Sequence, residues 1–153
     1  MTVKIRVANP EDVASITHFQ ICMADETEEK QLDATTVKAG VEQVFENSNS
    51  GFYLVATTDD GTVVGSLLIT FEWSDWRNSN MWYIQSVYLL PEYRGQKIFS
   101  AMFAEVKRLA NEQQVLFVRL YVETDNTHAQ SVYEALGMKR LPYYMYDIDL
   151  KKA

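Results

Sequence analysis

Arg94, Gly95 and Lys97 stand in a short polar stretch between two segments of different period. Ahead of it, Pro91 closes the run Trp82, Tyr83, Ile84, Val87, Tyr88, Leu89 and Leu90; after it, Ile98, Met102, Val106 and Leu109 recur at helical spacing. The period therefore changes from that of a strand to that of a helix across residues 92–97. A loop at that junction offers backbone N–H groups at a helix start together with two cations. That is the chemistry of an anion site, and a phosphate or pyrophosphate suits it. Many proteins place a strand, a polar turn with one glycine and a helix in sequence without binding anything, so the stretch alone leaves both readings open.

A second group of residues is acidic and aromatic. Residues 25–32 carry Glu26, Glu28 and Glu29, and residues 72–76 carry Glu72, Trp73, Asp75 and Trp76. Carboxylates beside indole faces suit a cation. The alternative is a solvated acidic loop, with aromatics covering a sheet edge. The single Cys22 forms no internal disulfide and reads as packing on an apolar helical face, and two histidines with one cysteine give no metal-ligand spacing, so no metal is expected.

Downstream, Asn126, Ala129, Tyr133 and Gly137 follow the apolar run 116–122. The two segments together resemble the GNAT superfamily of N-acetyltransferases. The acyl-CoA loop of that family has the pattern Arg/Gln-x-x-Gly-x-Gly/Ala, here filled by Arg94-Gly-Gln-Lys97-Ile-Phe99. Its next helix carries Asn-x-x-Ala-x-x-x-Tyr-x-x-x-Gly, matched residue for residue. The resemblance runs over residues 82–138 and implies acetyl-CoA as co-substrate. By the same resemblance, Arg94, Gly95, Gln96, Lys97, Ile98, Phe99, Ser100 and Asn126 bind the cofactor, and the backbone at Val87 and Leu89 bonds its pantetheine amides. It also assigns Tyr133 as the acid that protonates the departing thiolate. An acceptor amine would enter beside the acidic residues above, where Glu28 and Glu72 are the candidates to relay its proton. An alkyl amine is well under about 1% neutral at pH 7, so that help is needed.

Two positions depart from the pattern. Lys97 stands where the first patterned glycine is expected and Phe99 where Gly or Ala is; both lack glycine's freedom to visit positive φ and to let backbone approach phosphate closely. The alternative function is accordingly a degenerate GNAT domain that binds acyl-CoA or a partner without catalysis. A Rossmann-like nucleotide enzyme fits poorly, because Gly-x-Gly-x-x-Gly is absent.

The elements that must position these residues follow from periodicity and punctuation. Residues 3–7 alternate as a first strand, and Asn9-Pro10-Glu11-Asp12 supplies a cap, an N-terminal proline and early acids for a helix with the stripe Val13, Ile16, Phe19 and Met23. Residues 25–32 read as a connection, and a second helix begins near Asp33. Residues 51–57 and 62–73 form a hairpin about Asp60-Gly61, and 81–90 adds a third antiparallel strand. Helix 97–111 then crosses to a buried strand at 116–122, which is parallel to its predecessor. A short helix after Asn126 ends at Gly137, and 143–150 makes a closing strand. The expected fold is one α/β domain over residues 1–153: a mixed, mostly antiparallel twisted sheet with helices on both faces and a parallel strand pair at its centre. The resemblance adds that this pair is splayed.

With 153 residues and 47% hydrophobic content, one core is well supplied. No apolar run approaches a membrane span and no signal-peptide core precedes the first strand, so a soluble, cytoplasmic protein is expected, with no membrane partner. A net charge of −7 disfavours nucleic acid and favours cationic ligands. The expected partner is a small-molecule amine acceptor; a homodimer is left open.

Overall fold

The computed structural model describes residues 2–151. The chain divides into two compact units, Met1–Leu120 and Tyr121–Ala153.

The first unit holds a five-stranded sheet in the order β1 (Val3–Val7), β2 (Phe52–Thr58), β3 (Val63–Ser74), β4 (Ser79–Leu89) and β5 (Val118–Arg119). The first four strands are antiparallel neighbours, and β5 runs parallel to β4. Cross-strand partners share a face, which sorts the core. Tyr53, Val55, Ser66 and Leu68 lie on one face; Leu54, Ala56, Leu67 and Ile69 lie on the other. Helices α1 (Val13–Glu28) and α2 (Ala34–Glu46) cover the first face, where Ile16, Val41, Tyr53 and Val55 form a buried cluster. Helix α3 (Ile98–Glu112) packs near β1 and β2 and buries Ile98, Met102, Phe103, Val106 and Ala110. The sheet is thus covered on both sides, which is why all of residues 53–57 are buried.

Local chemistry sets where α1 begins. Asn9 and Asp12 cap each other reciprocally around the 3-10 turn Pro10–Asp12. Asp12 also accepts both guanidinium nitrogens of Arg6, at 2.8 and 3.0 Å, so the turn is pinned to β1. Burial pushes the Asp12 carboxyl up, but hydrogen bonds from Arg6 and the Asn9 N–H, with the Arg6 charge, outweigh it and leave it below the usual carboxylate range. At the far end α1 continues through Glu28 and closes at Glu29, which is left-handed (φ 52°), while the Lys30 N–H reaches the Ala24 carbonyl. Nothing in 25–28 breaks a helix, and the expected acidic connection shrinks accordingly.

Three further expectations are corrected. Of the predicted strand 116–122 only Val118–Arg119 pairs with β4, and Leu116, Phe117 and Tyr121 are exposed. The segment is therefore not a continuous buried strand. The parallel pair lies at the edge of the described sheet and not at its centre. Residues 143–150 form no strand. Tyr143, Tyr144, Met145, Tyr146, Ile148 and Leu150 are exposed, and the segment carries no ladder among the described residues. Alternation in the sequence supplies β propensity, but a strand is held by a paired backbone.

In the second unit, helix α4 (Thr127–Ala135) is capped by Asn126, whose side chain accepts from the Ala129 N–H at 3.1 Å. Gly137 (φ 95°) ends it, with the Met138 N–H donating to the Tyr133 carbonyl.

Candidate active site

Strand β4 carries a bulge. On β3 the partners of Gln85 and Tyr88 are Leu68 and Ser66, so one extra residue sits on β4, and Ser86 takes the left-handed conformation (φ 53°). The bulge changes which backbone groups face which neighbour. Before it, the Trp82 N–H donates to the Phe117 carbonyl, toward β5; after it, the Leu90 N–H donates to the Val64 carbonyl, toward β3. Alternation from Leu90 turns the backbone of Val87 and Leu89 away from β3. That is the edge on which β5 pairs only opposite Trp82 and Tyr83. Gly65 permits the close packing beside this segment: a Cβ there would lie 2.9 Å from the Tyr88 carbonyl and collide with the Leu89 side chain.

The loop that follows is a 3-10 turn, Pro91–Tyr93, and then residues 94–97. Gly95 is left-handed at φ 74°, and so is Lys97, at φ 63° and ψ 21°. The lysine at the patterned glycine position has kept the backbone a glycine would adopt. Lys97 is the N-cap of α3 and makes no side-chain cap, so the first-turn N–H groups lack that acceptor. Arg94, Gly95, Gln96 and Lys97 are exposed; the Gln96 amide donates to the Glu92 carbonyl at 2.9 Å. Ile98 is buried in the core, leaving its backbone as the group the loop can present. Ser100 is half-buried, and the Phe99 ring lies 6.2 Å from that of Phe103, one turn along α3.

Arg94 is held in place. Its Nε donates to the Leu89 carbonyl at 2.9 Å and its Nη2 to Glu26 Oε1 at 3.0 Å, and its guanidinium carbon lies 5.2 Å from the centre of the Tyr88 ring. Tyr88 is buried, stacks on Phe19 of α1 at 5.4 Å, and donates its hydroxyl to Glu26 Oε2 at 2.5 Å. Tyr88 and Arg94 together hold the Glu26 carboxyl below its ordinary range. Burial, then the bond to Glu26, pushes the Tyr88 phenol up, so it stays a donor. Sequence reasoning saw Glu26 only as one of several acids. Neither its pairing nor the Ser86 bulge has a local sequence signal.

The other predicted carboxylates are exposed. Glu28, in the last turn of α1, faces Lys30 at 3.5 Å, and Glu72 lies on β3 opposite Met81. Trp73, at the end of β3, and Trp76, in the turn that follows it, are largely exposed. In the second unit, Tyr133 is half-buried on α4, and burial pushes its phenol pKa above the ordinary tyrosine value. Asn126 is the cap of the same helix.

A sequence model of the Acetyltransferase (GNAT) family matches residues 17–138. The chain belongs to that family. The GNAT match spans both units and includes the loop, the bulged strand and α4. A solved structure of a possible acetyltransferase from Clostridium difficile 630 is similar at 37% identity and a TM-score of 0.90, over 99% of this chain and 100% of that one. A predicted acetyltransferase from Clostridium acetobutylicum, solved with acetyl-CoA, shares the fold at a TM-score of 0.78 but 17% identity, over 97% of each chain. The thialysine N-epsilon-acetyltransferase of Bos taurus is 38% identical over 79 residues, which is 52% of this chain and 46% of that protein. The chain thus spans about half the length of the curated relatives it matches. Among the described residues no helix is long and apolar enough to cross a membrane.

Proposed function

We propose that the chain is an acetyl-CoA-dependent N-acetyltransferase that passes the acetyl group to a primary amine of a small, cationic acceptor by direct attack. The observation that carries the reading is the loop before α3. Gly95 and Lys97 are both left-handed, and at Lys97 that conformation costs roughly 1–2 kcal/mol with no side-chain cap in return. Strain of this kind clusters at binding sites, and a pyrophosphate at a helix start is what the N–H groups here suit. Family membership supports the acetyl donor, and the name of the bovine relative supports an amine nitrogen as acceptor.

In this reading the first-turn N–H groups of α3, with Arg94 and Lys97, meet the pyrophosphate, and the backbone of Val87 and Leu89 pairs with the pantetheine amides. Water relays the acceptor's proton to Glu28 or Glu72. The neutral nitrogen then forms a bond to the thioester carbon as the carbonyl electrons move to oxygen. Collapse breaks the C–S bond, the thiolate takes the proton of Tyr133, and the extra proton on the new amide nitrogen passes through water to the tyrosinate and restores the phenol. Asn126 supports this step indirectly by capping the helix that carries Tyr133.

The acceptor class is tested by kcat/KM for amines of equal length with and without a distal ammonium, at two salt concentrations. A cation site among Glu28, Glu72 and Asp75 prefers the dication and loses part of that preference as salt rises, since exposed charges are screened over about 8 Å at physiological ionic strength. Equal use of both amines would remove the acidic site from the account.

A further inference from the structure

Glu26 stands outside the loop and outside the reaction steps above, yet it holds the loop's first cation. We infer that Glu26 is a positioning residue for acyl-CoA binding: it fixes the Arg94 guanidinium so that its Nη1 end is presented to the phosphates. This rests on the acetyl-CoA reading given above and adds to it a residue on a different element, the last turns of α1.

The geometry has three parts. Both carboxylate oxygens of Glu26 are engaged, one by Arg94 Nη2 at 3.0 Å and the other by the Tyr88 hydroxyl at 2.5 Å. Arg94 is fixed at a second point, its Nε on the Leu89 carbonyl at 2.9 Å, and its plane lies near the Tyr88 ring. Tyr88 is in turn immobilised by burial and by its stack on Phe19. A guanidinium carries hydrogen-bond donors on all three nitrogens in a rigid fork. With Nε and one side of Nη2 taken, Nη1 has no acceptor among the described residues. An arginine side chain otherwise loses considerable rotamer freedom when it orders on a ligand. Here the protein has done that ordering beforehand, using the partly exposed Glu26 and the strand that leads into the loop.

Simple electrostatics makes the opposite forecast, which gives the inference its test. Glu26 carries a negative charge beside a site for a polyanion. If it were only a nearby charge, or only a competitor for Arg94, removing that charge would tighten acyl-CoA binding. If it positions Arg94, removal weakens binding in spite of the lost repulsion.

The experiment is calorimetric titration of coenzyme A and steady-state kinetics with acetyl-CoA for wild type, Glu26→Gln, Arg94→Ala and the double variant. Tyr88→Phe serves as a milder perturbation that frees one Glu26 oxygen and keeps the ring. We expect Glu26→Gln to raise Kd and the KM for acetyl-CoA about five-fold with kcat changed less than two-fold, and Tyr88→Phe to move them about two-fold in the same direction. In the Arg94→Ala background the Glu26→Gln change is expected to disappear. Unchanged or tighter binding in Glu26→Gln overturns the inference, and so does a weakening that persists without Arg94. Failure of wild type to bind coenzyme A at all overturns instead the cofactor reading on which it rests.

Discussion

Replacing Lys97 by glycine should stabilise the protein relative to replacing it by alanine, the reverse of the usual order. At an ordinary helical or extended position, glycine is worse than alanine by roughly 0.5–1 kcal/mol, because it has more unfolded freedom to lose. Lys97 sits at φ 63° and ψ 21°, where a Cβ costs roughly 1–2 kcal/mol. Both substitutions remove the same charge, and the Cβ penalty is present only in Lys97→Ala. The difference of these terms leaves Lys97→Gly more stable by about 0.5–1 kcal/mol, which for a chain of this length is a shift of about 2–3 °C in Tm. Urea and thermal melts of the two variants measure it. The pair Lys38→Gly and Lys38→Ala, at an exposed position inside α2, supplies the contrast, since there glycine should be the less stable by about 1 kcal/mol. If Lys97→Ala is as stable as Lys97→Gly, the left-handed loop is not maintained in solution and the argument built on its strain fails.

Tyr133→Phe should lower kcat by about 10²-fold with the KM for acetyl-CoA within a few-fold, because the phenol proton is used only as the thiolate leaves; stopped-time thiol assays read both. Asp12→Asn should cost about 2 kcal/mol in urea melts at pH 7, from breaking a contact buried on the aspartate side and half-exposed on the arginine side. The folded Asp12 pKa lies below the unfolded value near 3.9, so its contribution is present above about pH 4 and lost as pH falls through the folded value. The gap between wild type and variant should therefore narrow in acid; a gap that widens would contradict the sign.

What the sequence made legible was whatever local chemistry decides. The Asn9 to Asp12 cap, the helix start near Asp33, the Asp60-Gly61 hairpin and the stop at Gly137 are all formed, because each rests on residues within a few positions of one another. The four antiparallel strands followed from alternation at residues 3–7 and from β-rich and aromatic runs set off by turns after it. What failed depends on partners distant in sequence. Residues 116–122 and 143–150 have strand-like composition, but composition does not say whether a neighbour pairs with the backbone. The bulge at Ser86 is one added residue in an unbroken β-like run, visible only once Leu68 and Gln85 are seen to pair. At the candidate site, the loop and Tyr133 could be singled out from motif spacing. Glu26 could not be assigned, because the contact to Arg94 spans 68 positions. The substitution at Lys97 implied a lost conformation, and the structure instead retains it at a cost in strain.

The most direct test of the central claim is acceptor-dependent release of free thiol from acetyl-CoA by the purified chain, with the amine product identified by mass spectrometry. A diamine or lysine-like acceptor is used, and wild type is run beside Arg94→Ala and Tyr133→Phe. The account predicts one N-acetylated amine per thiol released by wild type, a raised KM for acetyl-CoA in Arg94→Ala, and a lowered kcat in Tyr133→Phe. Binding of acetyl-CoA without thiol release for any amine would contradict it and leave a domain that holds the cofactor without transferring its acetyl group.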